Sequence, residues 1–193
     1  MTSHMITNTH IRPIETERLV LRAMTYDDAA DVLAFAGDHD TAYWAGMEPL
    51  DDLADARAMI DLGNCIPDEP QYAITLKDTG KVIGAIEISH SEDIHDNIHP
   101  TLGYILSPEV TRRGYMSEAV SAVCDDLFRN HRVDRIMCEI RKDNIPSRGV
   151  ALKCGFVQNA YQNRWRLNHY GKPLDEFFLD RVPCPFDEPE PLT

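Results

Sequence analysis

The chain reads as an α/β protein of the α+β kind, with a mixed sheet carrying helices on both faces. Three observations predict this. Strand-like and helix-like segments follow one another in the order βααβββαβαββ, too irregular for a doubly wound nucleotide-binding sheet. Two strand-like stretches are joined by a short polar loop with glycine, the mark of a hairpin and so of antiparallel pairing. The 193 residues, 43% hydrophobic and 26% charged, suit a single domain with one well-filled core.

Taken in order, Arg18 to Arg22 is a short β-rich segment. Thr25 stands as an N-cap before Asp27, Asp28 and the apolar positions Ala29, Val32, Leu33 and Ala36. Asp51 and Asp52 open a second amphipathic helix through Ala56 and Ile60, expected to close near Gly63. Tyr72 to Leu76 and Lys81 to Ser89 form the hairpin, turning at Lys77-Asp78-Thr79-Gly80. Thr101 to Leu106 is a further strand, ended by Ser107-Pro108. Ser117 to Arg129 is helical, with Met116, Ala119, Val120, Val123, Cys124 and Leu127 on one stripe. Val133 to Arg141 reads as a strand, and Asn144-Ile145-Pro146 opens a helix to Cys154, with Gly155 at its C-terminal cap. Phe156 to Leu167 and Leu174 to Val182 read as two strands joined through Tyr170-Gly171-Lys172-Pro173. Residues 1–13 are an N-terminal extension, 14–182 the domain, and 183–193 a proline-rich acidic tail.

Nineteen basic against 32 acidic residues give a net charge of -13, which would repel nucleic acid and anionic lipid. An amine-bearing partner fits better, while the excess acid also serves solubility. The five cysteines form no Cys-x-x-Cys pair, so a reduced, cytoplasmic setting is expected. Neither a membrane-spanning stretch nor the apolar core of a signal peptide is visible, and Ser3-His4-Met5 reads as a cloning remnant. His90, His95 and His99 lie among acids but without a tight ligand spacing, so no metal is expected. Monomer and homodimer both stay open.

The chemistry concentrates between Ser107 and Ser117. There the glycine of Thr111-Arg112-Arg113-Gly114-Tyr115-Met116-Ser117 lets successive backbone amides converge at a helix N-terminus, a phosphate-binding arrangement. Arg112 and Arg113 add positive charge to an acidic chain. Neither a P-loop nor a Rossmann fingerprint is present, which disfavours nucleotide hydrolysis. Downstream, Asn144-x-x-Ser147-x-x-Val150-x-x-Lys153-x-Gly155-Phe156 follows a strand and covers a short helix.

These two segments, in this order, resemble the GNAT superfamily of N-acetyltransferases, and in detail its RimJ/RimL-type ribosomal-protein N-terminal acetyltransferases. Arg18-Leu-Val-Leu-Arg22, Leu102-Gly-Tyr-Ile-Leu106 and Gly171-Lys-Pro-Leu-Asp175 extend the resemblance over Ile14 to Arg181. The resemblance implies a mostly antiparallel central sheet of about seven strands with about four helices. It implies acetyl-CoA as co-substrate and a primary amine as acceptor, with direct attack in a ternary complex and no metal. Arg112, Arg113, Gly114, Tyr115, Met116 and Ser117 are then the pyrophosphate loop. The family's six-residue motif, Gln/Arg-x-x-Gly-x-Gly/Ala, falls on Thr111 to Met116, and its first and last positions, Thr111 and Met116, depart from the pattern, which matters little for contacts made by backbone. Ile105 and Leu106 are implied to pair with the pantetheine arm, and their amides to stabilise an oxyanion. Asn144 and Ser147 are implied to lie near the thioester sulfur, with Ser147 donating a proton to the departing thiolate. Lys153 and Phe156 read as structural.

Many relatives carry a basic carboxylate on the fourth strand, where this chain has Thr101. Glu87 and His99 are the candidate replacements. The missing base favours an α-amine, with a pKa near about 7.8 and roughly one in seven neutral at pH 7, over lysine, at roughly one in 2500. A polyamine or antibiotic acceptor, and an acyl-CoA-binding protein without catalysis, stand as alternatives.

Overall fold

The computed structural model describes residues 11–66, 69–92, 97–131, 133–158 and 174–180. The expected extension before Ile11, most of the strand over 156–167, the Tyr170–Pro173 turn, the tail, His95 and Cys184 lie outside them. Eight strands form one sheet among the described residues: β1 (Ile14–Glu15), β2 (Leu19–Ala23), β3 (Gln71–Leu76), β4 (Val82–Glu92), β5 (Ile98–Leu106), β6 (Arg135–Arg141), β7 (Val157–Gln158) and β8 (Leu174–Asp180). Five α-helices accompany them: α1 (Ala29–Ala36), α2 (His39–Ala45), α3 (Leu53–Cys65), α4 (Tyr115–Asn130) and α5 (Ile145–Lys153). The spatial order is β1-β2-β3-β4-β5-β6-β8-β7, antiparallel throughout except for β5 and β6.

Alternation along the strands sends every second side chain to the same face. Leu19, Leu21, Ile86, Ile88, Leu102, Ile136, Cys138 and Ile140 meet the apolar stripe of α4 and the inner side of α5. Ala73, Ala85 and Ile105 point the other way, against Val32 and Phe35 of α1 and Ala56 and Ile60 of α3. The sheet is thus covered on both faces, as the order of segments implied.

Two local differences from expectation have clear causes. Helix α2 went unpredicted because it is a single short run between Asp38, whose carboxylate caps it by accepting from the Thr41 amide at 2.8 Å, and the left-handed Gly46 at φ 78°. Gly63 does not close α3, which runs on to Cys65. The glycine serves packing instead: a β-carbon there would lie 2.0 Å from Oε1 of Gln71 on β3.

Strands β5 and β6 are linked by the crossover through α4, and they pair in register only at Thr101 and Met137. β5 stays paired to β4 as far as Leu106, and β6 stays paired to β8 as far as Arg141. Beyond that one rung the sheet opens down its middle.

The entry to α1 is held by Asp28, which is buried and accepts from Arg22 Nη1 and Nη2 at 2.7 and 2.8 Å and from the Thr25 amide at 2.8 Å. Burial alone would raise its pKa, but the Arg22 and Thr25 hydrogen bonds outweigh it and hold the carboxyl below its usual value. A depressed carboxyl pKa contributes stability that is present above the unfolded value of about 3.9 and lost as pH falls through the folded one. Arg22→Ala is therefore expected to lower the unfolding free energy by about 1–3 kcal/mol at neutral pH. In urea titrations the gap between wild type and variant should close in that acid range.

Candidate active site

The opening between β5 and β6 is a cleft of about 900 Å³, within the range of small-ligand sites. Its walls are β5 from Leu102 to Leu106, β6 from Glu139 to Arg141, the start of α4, one side of α5, and Thr41 and Trp44 of α2. The amide of Ser107 donates to the Ile83 carbonyl at 2.8 Å. Antiparallel alternation then turns the amides of Ile105 and Gly103 toward β4 as well, and those of Leu106 and Tyr104 toward the side that β6 has left. Of the expected pair Ile105 and Leu106, only Leu106 offers its own N–H to the cleft; that of Ile105 belongs to the β4 ladder.

One end of the cleft is built for an anion. After a 3-10 turn at Pro108–Val110, the chain places Arg112 at φ 63° and Gly114 at φ 82°, with Arg113 at negative φ between them. This alternation turns neighbouring amides to one side, the geometry of an anion-binding nest. A non-glycine residue at positive φ costs on the order of 1–2 kcal/mol, so the strain at Arg112 marks a loop shaped for something other than stability. α4 begins at Tyr115, so the amides of Tyr115, Met116 and Ser117 have no acceptor within the helix and stand at its positive end.

The surrounding cations fall into two kinds. Arg112 and Lys153 line the cleft, and a β-carbon on Gly114 would lie 3.8 Å from Lys153 Nζ and 3.6 Å from Arg18 Nη2. Lys153, expected to be structural, is thus at the nest. Arg18 acts as a brace. Its Nε and Nη2 bind Glu118 Oε2 at 2.7 and 2.6 Å, its Nη1 donates to the Arg113 carbonyl at 3.0 Å, and its guanidinium lies 4.4 Å from the centroid of the Tyr115 ring. The other oxygen of Glu118 accepts from the Thr16 hydroxyl at 2.6 Å and the Arg18 amide at 2.9 Å. Partial burial pushes the Glu118 pKa up, but these donors prevail and keep it ionised below the usual range. The Arg113 side chain turns back toward the Glu109 carbonyl at 3.4 Å and is not part of the cleft wall.

At mid-cleft, Asn144 caps α5 by accepting from the Ser147 amide at 3.1 Å. The Ser147 hydroxyl donates to the Tyr104 oxygen at 2.9 Å, and the Tyr104 hydroxyl donates to the Ser147 carbonyl at 3.0 Å. Burial first, then the neighbouring Cys138, raises the Tyr104 pKa far above that of a free phenol, so the ring stays protonated. Asn144 and Ser147 thus meet at the cleft wall. Tyr104 was missed as their partner because its spacing reads only as an alternating strand residue.

The two candidate bases fare differently. Glu87 stands opposite Gly103, where a β-carbon would meet its Oε1 at 2.5 Å. The residue is exposed as a whole, yet its carboxyl lies packed over that glycine. Desolvation first, and the charge of Glu69 second, raise its pKa. It does not line the cleft. His99 pairs with Ser91, before the Thr101 rung rather than beyond it. It does not line the cleft either. Glu139 lies two residues past Met137 on the same face and lines the cleft. It was overlooked because it sits in an apolar strand, Arg-Ile-Met-Cys-Glu-Ile-Arg, where one acid looks like a solvated position. The thiols of Cys124 and Cys138 are buried, which raises their pKa and keeps them inert. Among the described residues no cluster could hold a metal ion.

A parted parallel strand pair with an anion nest at one end and a hydroxyl and a carboxylate on its walls defines a site for a phosphate-bearing carrier and a second reactant. The profile of the family described as Acetyltransferase (GNAT) domain matches residues 18–157, and the chain belongs to that family. An uncharacterized N-acetyltransferase, YoaA of Bacillus subtilis (strain 168), is 30% identical over 166 residues, covering 84% of this chain and 92% of that protein. Solved structures that share the fold include two acetyltransferases in complex with coenzyme A. RimL, a ribosomal L7/L12 α-N-protein acetyltransferase in complex with coenzyme A, superposes with TM-score 0.72 at 16% identity, covering 88% of this chain and 98% of its own. A spermidine N-acetyltransferase from Vibrio cholerae in complex with coenzyme A and spermine superposes with TM-score 0.68, also at 16%, covering 86% and 96%.

The brace and the direct cations differ in their response to salt. With coenzyme A as the titrant, Arg112→Glu and Lys153→Glu are each expected to raise Kd about tenfold at low ionic strength, an effect that shrinks as salt screens exposed charge. Arg18→Ala should also weaken binding, by releasing the Arg113 carbonyl, and its deficit should persist at high salt. Calorimetry at two salt concentrations reads both.

Proposed function

We propose that this N-acetyltransferase transfers the acetyl group of acetyl-CoA to the α-amine of a protein or peptide N-terminus, in a ternary complex. The observation that carries the reading is the single β5–β6 rung at Thr101 and Met137, with Ser147 and Glu139 on the walls of the gap that follows it.

Acetyl-CoA brings the acetyl group as a thioester. The residues present fit it: the amides of Arg113 to Ser117, Arg112 and Lys153 suit its phosphates, and the unpaired edge at Tyr104 and Leu106 suits an amide-bearing arm. The neutral fraction of the amine attacks, and Glu139 takes the proton that the nitrogen sheds as the C–N bond forms and passes it on to solvent. The amide of Leu106 faces the carbonyl oxygen as charge develops on it. Ser147 delivers its proton to the departing sulfur and recovers one from solvent. Tyr104 is a poor source for that replacement, since its raised pKa makes a buried tyrosinate costly, and it serves to orient the serine. Asn144 fixes the turn that carries Ser147.

An α-amine acceptor accords with the absence of a carboxylate at Thr101 and with an open cleft mouth where a chain terminus can enter while the rest of its protein stays outside. It is also the acceptor named for RimL. A polyamine acceptor is the second reading, favoured by the chain's net charge of -13 and by the spermidine N-acetyltransferase that shares the fold.

A thiol-release screen of N-terminal peptides, polyamines and aminoglycosides with acetyl-CoA decides between them. Peptides should give the highest kcat/KM, rising with pH through the amine's own pKa of about 7.8. Preference for a polyamine would replace the reading, and bound coenzyme A without thiol release toward any amine would end it. Glu139→Gln and Ser147→Ala are expected to lower kcat about 10²-fold or more with coenzyme A affinity unchanged.

A further inference from the structure

Arg141 closes β6 on the same face as Glu139, and its side chain is only 4% exposed. A guanidinium so deeply placed is costly unless its donors are matched, and it is matched from two directions. Asp143 accepts from Nε at 3.2 Å and from Nη2 at 2.9 Å. On the other side, the Tyr43 phenol oxygen of α2 accepts from Nη2 at 2.8 Å. The rings of Tyr43 and Trp44 both lie over the guanidinium carbon, their centroids 4.2 and 4.5 Å away, and pack edge to face with each other at 5.3 Å and 68°. Both distances are within cation–π range.

These contacts join two parts of the cleft that are distant in sequence. α2 has seven residues, too few to hold as a helix without tertiary support. It contributes Thr41 and Trp44 to the cleft wall, with Trp44 39% exposed. Asp143 immediately precedes Asn144, whose side chain sets the Ser147 amide. One buried side chain therefore holds both the aromatic wall at the cleft mouth and the turn that presents the hydroxyl. Because Asp143 neutralises it, Arg141 adds no net repulsion toward an ammonium group near Glu139.

We infer that Arg141 is a positioning residue for the amine acceptor: it clamps α2 over the cleft so that Trp44 forms the apolar wall against which the acceptor's first side chain packs, and it couples that wall to the turn carrying Ser147. This rests on the transferase reading above. The wall suits an acceptor with an apolar or aromatic group next to its amine, and it offers little to a fully hydrophilic polyamine.

The test uses the full chain in a Trp165→Phe background, where Trp44 is the sole tryptophan. Arg141→Ala, Arg141→Lys and Tyr43→Phe are compared for KM of a peptide amine, Kd of coenzyme A, and acrylamide quenching of tryptophan fluorescence. Arg141→Ala is expected to raise the amine KM about tenfold or more, leave coenzyme A affinity within about twofold, and increase quenching. Lysine, which cannot fork onto Asp143 and Tyr43 together, should restore less than half of the loss. Tyr43→Phe keeps the ring but loses the 2.8 Å hydrogen bond, so it should fall between wild type and Arg141→Ala. It carries the test alone if Arg141→Ala fails to fold. Unchanged quenching, or an equal weakening of both substrates, overturns the clamp. If no amine is acetylated even by the unsubstituted chain, the transferase reading has failed, while the quenching comparison still judges the clamp by itself.

Discussion

The rest of the molecule depends on the sheet being paired at Thr101 and Met137 and then not paired again between those two strands. Backbone polar groups in a sheet interior are costly to leave unmatched. Opening the ladder there is tolerable only because the gap is wide enough for solvent or ligand to reach the freed edge. The outer strands carry the burden of keeping it open. β4 holds β5 through Leu106 and β8 holds β6 through Arg141, so neither inner strand can relax toward the other without breaking a complete ladder on its far side. The crossover through α4 then brings the helix N-terminus to the open end, which couples the parting of the strands to the position of the phosphate nest.

Charge is distributed to match. The chain carries -13 overall, yet Arg112, Lys153 and the amides at the start of α4 make a locally positive end of the cleft. A polyanionic carrier is thereby offered one positive end in an otherwise acidic protein. Arg18 and Arg141 look like further contributions to the positive side but are not, since Glu118 and Asp143 neutralise them. Their importance is mechanical, because a guanidinium with five donors can hold two segments together where an ammonium could not.

This division explains what could be read from the sequence. The sheet with helices on both faces and the glycine loop were legible because each is written in contiguous residues: periodicity for the strands and helices, Gly114 before a helix start for the loop; Asn144 and Ser147 came only from the resemblance of their segment to the GNAT superfamily. What stayed hidden depends on pairings across the fold. The role of Arg18 needs Glu118 and the Arg113 carbonyl, that of Glu139 needs the register with Thr101, and α2 is shaped as much by a β6 arginine as by its own residues. Lys153 was discounted because, in the chain, it lies far from the glycine it approaches in space. Glu87 and His99 were attractive as acids or bases on neighbouring strands, but only the fold shows that one is packed over Gly103, the other lies before the Thr101 rung, and neither lines the cleft.

The contact between Ser147 and Tyr104 ties the chemistry back to the opening of the sheet. Tyr104 belongs to the strand whose edge has been freed, and Ser147 to the helix beyond the gap, so their paired hydrogen bonds are a bridge across the cleft where no backbone bridge exists. Each hydroxyl uses its single proton on the other residue, leaving lone pairs on the serine oxygen and no uncommitted proton in the pair. Ser147 can donate toward the cleft only by rotating its hydroxyl away from Tyr104, which then loses an accepted hydrogen bond but keeps the one it makes to the carbonyl. The helix therefore remains anchored while the proton moves, and the position of the oxygen is preserved through the step that changes its bonding.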